Sequence, residues 1–172
     1  MIGDVMHYNI VVDSDPMSPR EFSNFGKILY TSNRYALGDE QASAEKINFV
    51  LNSKDYISLP VYAYIHSGIA LNTTGFSCPW DSGMSGIIYV SKNKVREDFK
   101  KKLISKKLYN IVLDILKSEV DVYGKYLNGE VYGYEIINDD GDVVDSCYGY
   151  YGSEEAEIAA KDAITWYNNK AA

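Results

Sequence analysis

Between Ser105 and Tyr123 the chain repeats apolar residues at helical spacing. Leu108, Ile111, Val112, Ile115, Leu116 and Val120 fall three and four positions apart, the pattern of a helix with one buried face. Ser105 is a good N-cap, because its hydroxyl accepts one of the first orphan N–H groups. The helix is expected to run to about Tyr123, with Gly124 as C-cap and Gly129 at the next turn. Two β-rich runs follow, Val131 to Ile137 and Val143 to Tyr150, around Asn138-Asp139-Asp140-Gly141-Asp142. Asp-Gly readily supplies positive φ, so these runs are read as a β-hairpin. Ser153 then opens an acidic-first helical tail, with Glu154, Glu155 and Glu157 at the positive end of its dipole. Its expected buried stripe is Ile158, Ala159, Ile164, Trp166 and Tyr167.

Upstream, Met6 to Val12 reads as a strand stopped by Asp13-Ser14-Asp15-Pro16. Met17 to Asp39 reads as a long irregular segment with one short strand at Lys27 to Tyr30, its aromatics Phe22, Phe25, Tyr30 and Tyr35 requiring burial. Glu40 to Leu51 sets Ala44, Ile47, Val50 and Leu51 on one helical face. Tyr56 to His66 is strand-like, with Pro60 marking an edge or bulge. Ser67 to Gly86 is expected to be a glycine-rich loop, Ile87 to Ser91 a strand, and Asn93 to Lys102 a basic helix. Strands and helices thus succeed one another without strict βαβα alternation. The fold class expected is α+β, with a mainly antiparallel sheet and a C-terminal-half β-hairpin packed against two or three amphipathic helices. At 172 residues a single domain, 1–172, is expected.

Hydrophobic residues at 46% and charged residues at 24% exclude the disordered class. The 24 acidic and 17 basic side chains leave a net charge of -7, which disfavours generic coating of duplex nucleic acid. An acidic surface suits a basic partner such as the nucleic-acid channel of a nuclease, while the same charge also simply aids solubility. The sequence holds no apolar run of membrane-spanning length and no secretory leader pattern, so no membrane partner and a cytosolic location are expected. Cys78 and Cys147 are too few for a disulfide framework.

Chemistry concentrates in His66-Ser67-Gly68 through Phe76-Ser77-Cys78-Pro79-Trp80-Asp81-Ser82-Gly83. Three readings stay open. His66 is a base for a Cys78 thiolate, with Asp81 orienting the imidazole. Alternatively His66, Cys78 and Asp81, joined by His7 or Cys147, hold Zn²⁺. In the third reading Cys78 is a small buried hydrophobe, Trp80 an anchor and Asp81 a turn residue. Asn138, Asp140 and Asp142 imitate the alternating oxygens of a calcium loop, but Val143 and Gly149 stand where that loop needs Gly and Glu. Eight of the 17 basic residues lie between Lys92 and Lys107, either a contact for nucleic acid or an acidic partner, or a solvated helix face. Tyr132, Tyr134, Tyr148, Tyr150 and Tyr151 either form a contact surface or cover the sheet.

Ser18-Pro19-Arg20-Glu21, Asn24, Gly26, Arg34-Tyr35-Ala36-Leu37-Gly38-Asp39-Glu40, His66-Ser67-Gly68, Phe76 to Gly83 and Ile88-Tyr89-Val90-Ser91-Lys92 together resemble a family of small proteins from bacteriophages and mobile elements. The resemblance runs over most of the chain. It implies a genetic setting in which small acidic accessory proteins inactivate host defence in the bacterial cytoplasm, anti-CRISPR and anti-restriction proteins among them. No inhibitory residue is carried over from it.

The leading expectation is a non-enzymatic counter-defence protein that binds and blocks a defence nuclease, a Cas9-like effector or a restriction enzyme. Its contact residues are read as Trp80, Asp139, Asp140, Asp142, Asp145, Tyr148, Tyr150, Glu154 and Glu155. The alternatives are a metal-dependent or Cys-His hydrolase centred on His66, Cys78 and Asp81, and a protein that binds a nucleotide signal in the glycine-rich loop.

Overall fold

A computed structural model describes residues 6–77 and 82–171; of Ser82, Lys170 and Ala171 it describes the backbone alone. The chain is of the mixed α+β class, and among the described residues the strands form two sheets, in which every pairing but one is antiparallel. Two compact units result, one built from Met1–Ser18 and Gly129–Ala172 and the other from Pro19–Asn128.

The smaller unit is a three-stranded sheet in the order β1 (His7–Val12), β7 (Val131–Ile137), β8 (Val143–Tyr151), followed by helix α4 (Ser153–Ala171). Tyr8 and Ile10 of β1 pair with Ile136 and Tyr134 of β7. Because cross-strand partners share a face, these side chains form one apolar surface, and Ala160, Ala163 and Ile164 of α4 pack on it. The expected α4 stripe is shifted: Ala156 and Ala160 are buried, whereas Ile158 and Trp166 are exposed. Small side chains at those two positions let the helix sit close to a sheet already crowded with tyrosine rings.

The larger unit is a five-stranded sheet in the order β3 (Glu40–Gln41), β2 (Lys27–Tyr30), β6 (Ser82–Ser91), β4 (Tyr56–Ile65), β5 (Ile69–Asn72). On one face Ile28, Ile57, Ile88 and Val90 meet Val112, Leu116, Val120 and Tyr123 of α3 (Lys106–Leu127). On the other face Leu29 and Ile87 meet Ile47 and Val50 of α1 (Ala44–Asn52). Each such side chain, fully buried, contributes about 1.5–3 kcal/mol, so α3 is the principal support of this sheet. Ser43 and Ser105 cap α1 and α3 by accepting the Lys46 and Leu108 N–H groups.

Several boundaries differ from the sequence expectation. Gly124 does not end α3, which runs on to Leu127; it sits inside the helix because a Cβ there would lie 3.3 Å from the Leu71 carbonyl oxygen. The stretch expected as a loop from Ser67 contains β5 and the first half of β6, with Ser82 to Met84 paired to Tyr64 to Tyr62. Pro60 lies beyond the end of the β5 pairing, and the register of β4 slips just after it, between Val61 and Tyr62. Helix α2 spans only Lys92–Asp98. It closes with Lys100 at φ 52° and with the Lys100 and Lys101 N–H groups donating to the Glu97 and Arg96 carbonyls, a Schellman stop. Phe22 and Ala44 are exposed, while Phe25, Tyr30 and Tyr35 pack against the core as their size requires. Among the described residues no helix is long and apolar enough to cross a membrane.

Candidate functional site

The hairpin tip is built from backbone needs. Asn138 Oδ1 accepts the Asp142 N–H at 2.8 Å, the Gly141 N–H donates to the Asn138 carbonyl at 3.0 Å, and Gly141 takes φ 86°. Asp139, Asp140 and Asp142 are exposed at this tip. Behind them β8 is, among the described residues, the edge of its sheet, paired with β7 alone. It carries exposed Val143, Val144, Cys147 and Tyr148 and half-buried Asp145, and the exposed Glu154 and Glu155 follow in the first turn of α4.

The two tyrosines expected as contacts differ. Tyr148 lies over Gly133, where a Cβ would be 2.3 Å from its ring, and its hydroxyl donates to Glu135 Oε1 at 2.9 Å. That bond to a carboxylate raises the Tyr148 pKa. Tyr150 is half-buried, 6.0 Å from the Tyr134 ring and packed toward α4. Hydrogen bonding with Cys147, then burial, raises its pKa. Between them Gly149, at φ 90°, is the extra residue where β8 slips register against Tyr132 and Gly133. This bulge turns one tyrosine outward and the next inward.

Charge separates sharply between the units. The hairpin unit holds 13 acidic and 2 basic side chains, a net of -11, while the larger unit holds 11 acidic and 15 basic, a net of +4. The overall -7 therefore belongs to the hairpin unit.

Cys78, Trp80 and Asp81 lie outside the described residues. His66 is exposed in the turn between β4 and β5, its backbone N–H donating to the Gly68 carbonyl at 3.2 Å and its ring 6.3 Å from Tyr64. His7 and Cys147 lie on strands at opposite sides of β7, in register with Ile137 and Tyr134. Among the described residues no three histidine, cysteine or carboxylate groups gather as metal ligands.

The motifs around Arg20 and Asp39 serve a structural knot. The Arg20 guanidinium reaches both Asp39 oxygens at 2.6 and 2.8 Å, Glu119 Oε2 at 3.1 Å, Asn24 Oδ1 at 3.1 Å and the Gly26 carbonyl at 2.8 Å. Glu119 in turn accepts the Phe25 N–H at 2.6 Å, and Asp39 the Ile28 N–H at 2.6 Å. Burial alone pulls the Arg20 pKa down, but the two carboxylates outweigh it and the net shift is upward. The segment before β2 is thereby tied to α3. Sequence reasoning missed Glu119; its signal was an acid beside the apolar stripe, one residue before Val120.

Comparison with protein-family models, curated proteins and solved structures finds no match to this chain.

Proposed function

We propose that this protein acts by occlusion: its hairpin unit docks on a basic, nucleic-acid-handling protein and denies that surface to nucleic acid. The carrying observation is the net charge of -11 confined to that unit. Opposite fields speed encounter with a basic channel, and an acidic surface competes with phosphate for the same lysines and arginines. The open β8 edge and the exposed Val143, Val144 and Tyr148 supply the apolar and backbone contacts that charge alone does not. A defence nuclease, a Cas9-like effector or a restriction enzyme, is the partner class to which the resemblance to phage and mobile-element proteins leads.

The test is direct binding and nuclease inhibition against a panel of such enzymes, at low and at raised salt. Expected is salt-sensitive binding to at least one, weakened when Asp140, Asp142 and Glu154 are changed together to Lys. Absence of binding across the panel, or binding indifferent to that reversal, refutes the reading.

A further inference from the structure

The larger unit holds a cationic cavity distant in sequence from the hairpin and unused by the reading above. Tyr56, which opens β4, is the register partner of Ser91, which closes β6. The residues before β4 and the start of α2 therefore lie side by side. The Lys92 backbone N–H donates to the Asp55 carbonyl at 2.9 Å and its ammonium to the Lys54 carbonyl at 2.5 Å. One turn along α2, the Arg96 guanidinium is steadied by Asn93 Oδ1 at 2.8 Å. Together these residues line a cavity of about 390 Å³.

Lys54, Lys92 and Arg96 all line it, against the single carboxylate of Asp55. Among the described residues none of the three cations forms an ion pair. Other lysines of this unit do: Lys27 and Lys46 with Glu40, Lys94 with Asp98, Lys117 with Asp114 and Lys125 with Asp121. An anion seated within this lining is attracted by all three cations and is offered hydrogen bonds by their N–H groups. Asn93 and Ser91 add neutral polar residues to the lining.

A second cavity, of about 370 Å³, shares Tyr56 and Ser91 with the first and adds Phe25, Tyr89, Lys27 and Lys94. Tyr56 and Tyr89 meet edge to face at 5.3 Å. Tyr56 thus stands between a bay lined by cations and one that combines aromatic rings with Lys27 and Lys94. A phosphate beside a planar ring is the matching ligand chemistry, and each bay is of small-ligand size.

We propose that these adjoining cavities bind a mononucleotide, its phosphate among Lys54, Lys92 and Arg96 and its base against Tyr56. Two compact bays favour one nucleotide over a strand, which needs a continuous groove along its backbone.

The experiment is calorimetric titration of the full chain with ADP, with inorganic pyrophosphate as competitor. Expected is saturable binding displaced by pyrophosphate. Joint Lys54→Glu and Arg96→Glu substitution weakens ADP by about tenfold or more, and Tyr56→Leu weakens ADP while leaving pyrophosphate within about twofold. Lys117→Glu on α3 is the control and changes neither. Circular dichroism verifies that each variant is folded; Lys54 and Arg96 are exposed, so the double variant keeps the test decisive if Tyr56→Leu unfolds. No saturable ADP binding, or binding untouched by the double variant, overturns the proposal. Tighter binding of oligothymidylate than of ADP, lost in the same variant, overturns the mononucleotide assignment in favour of a strand.

Discussion

The two units use carboxylates in opposite ways. In the larger unit Asp39 and Glu119 are drawn in around Arg20, with side chains only 20%, 15% and 8% exposed respectively. In the hairpin unit Asp139, Asp140, Asp142, Glu154 and Glu155 stay at the surface. Partly shielded by its neighbours, a carboxylate is held by donors that offset its lost hydration, and it then ties distant parts of the chain together. At the surface it costs little and projects a field. The lesson is that -7 as a single number hides two dispositions of carboxylate, one engaged by the chain's own donors and one left at the surface.

Breaking the architectural side gives the largest effect. Arg20→Ala leaves two partly shielded carboxylates without their shared donor, and losing hydrogen bonds to charged groups of this kind costs about 1.5–3 kcal/mol. Urea unfolding followed by circular dichroism measures it. Arg20→Lys keeps the charge but not the planar fork that spans Asp39, Glu119 and the Gly26 carbonyl, so it recovers only part of the loss. Wild-type stability in Arg20→Ala would mean that the knot is incidental and that both units treat charge alike.

The hairpin, the long apolar helix and the acidic tail were legible because each rests on local chemistry: an Asp-Gly turn, a 3.6-residue period, carboxylates at a helix start. What was not legible depends on distant partners. Ser82 to Gly86 looks like loop, yet Gly86 must be glycine for β2 to pair, since a Cβ there would lie 2.1 Å from the Leu29 carbonyl oxygen. Gly124 looks like a helix stop and is instead the place where Leu71 approaches α3. The Arg20 knot joins residues 99 positions apart, and Arg20 alone gives no hint of Glu119. The charge partition is countable only after the fold assigns Met1–Ser18 to the same unit as Gly129–Ala172.

A pH titration sharpens the comparison on the larger unit's surface. Hydrogen bonds from Lys27, at 2.5 Å, and from Lys46 lower the Glu40 pKa to about 2. A folded-state value below the unfolded one means that Glu40 contributes stability above its ordinary range, and that this is lost as pH falls from about 4.3 toward about 2. Thermal melts of Glu40→Gln should fall slightly below wild type at neutral pH and converge with it near the acid end of that window. Curves that stay parallel throughout would show that the pair contributes nothing specific.

The smallest stability change is expected where the functional change is greatest. Asp140 and Asp142 are exposed, and the loop bonds at the tip use their backbone or none of their atoms. Changing both to Lys should therefore move unfolding stability by no more than about 0.5 kcal/mol while weakening association with a basic partner and reducing its salt dependence. Relief of repulsion among neighbouring aspartates makes even a slight gain in stability reasonable, and that gain would strengthen the contrast with Arg20. If instead the reversal unfolds the hairpin unit, its acids are architectural as well, and the division of labour between the two units fails.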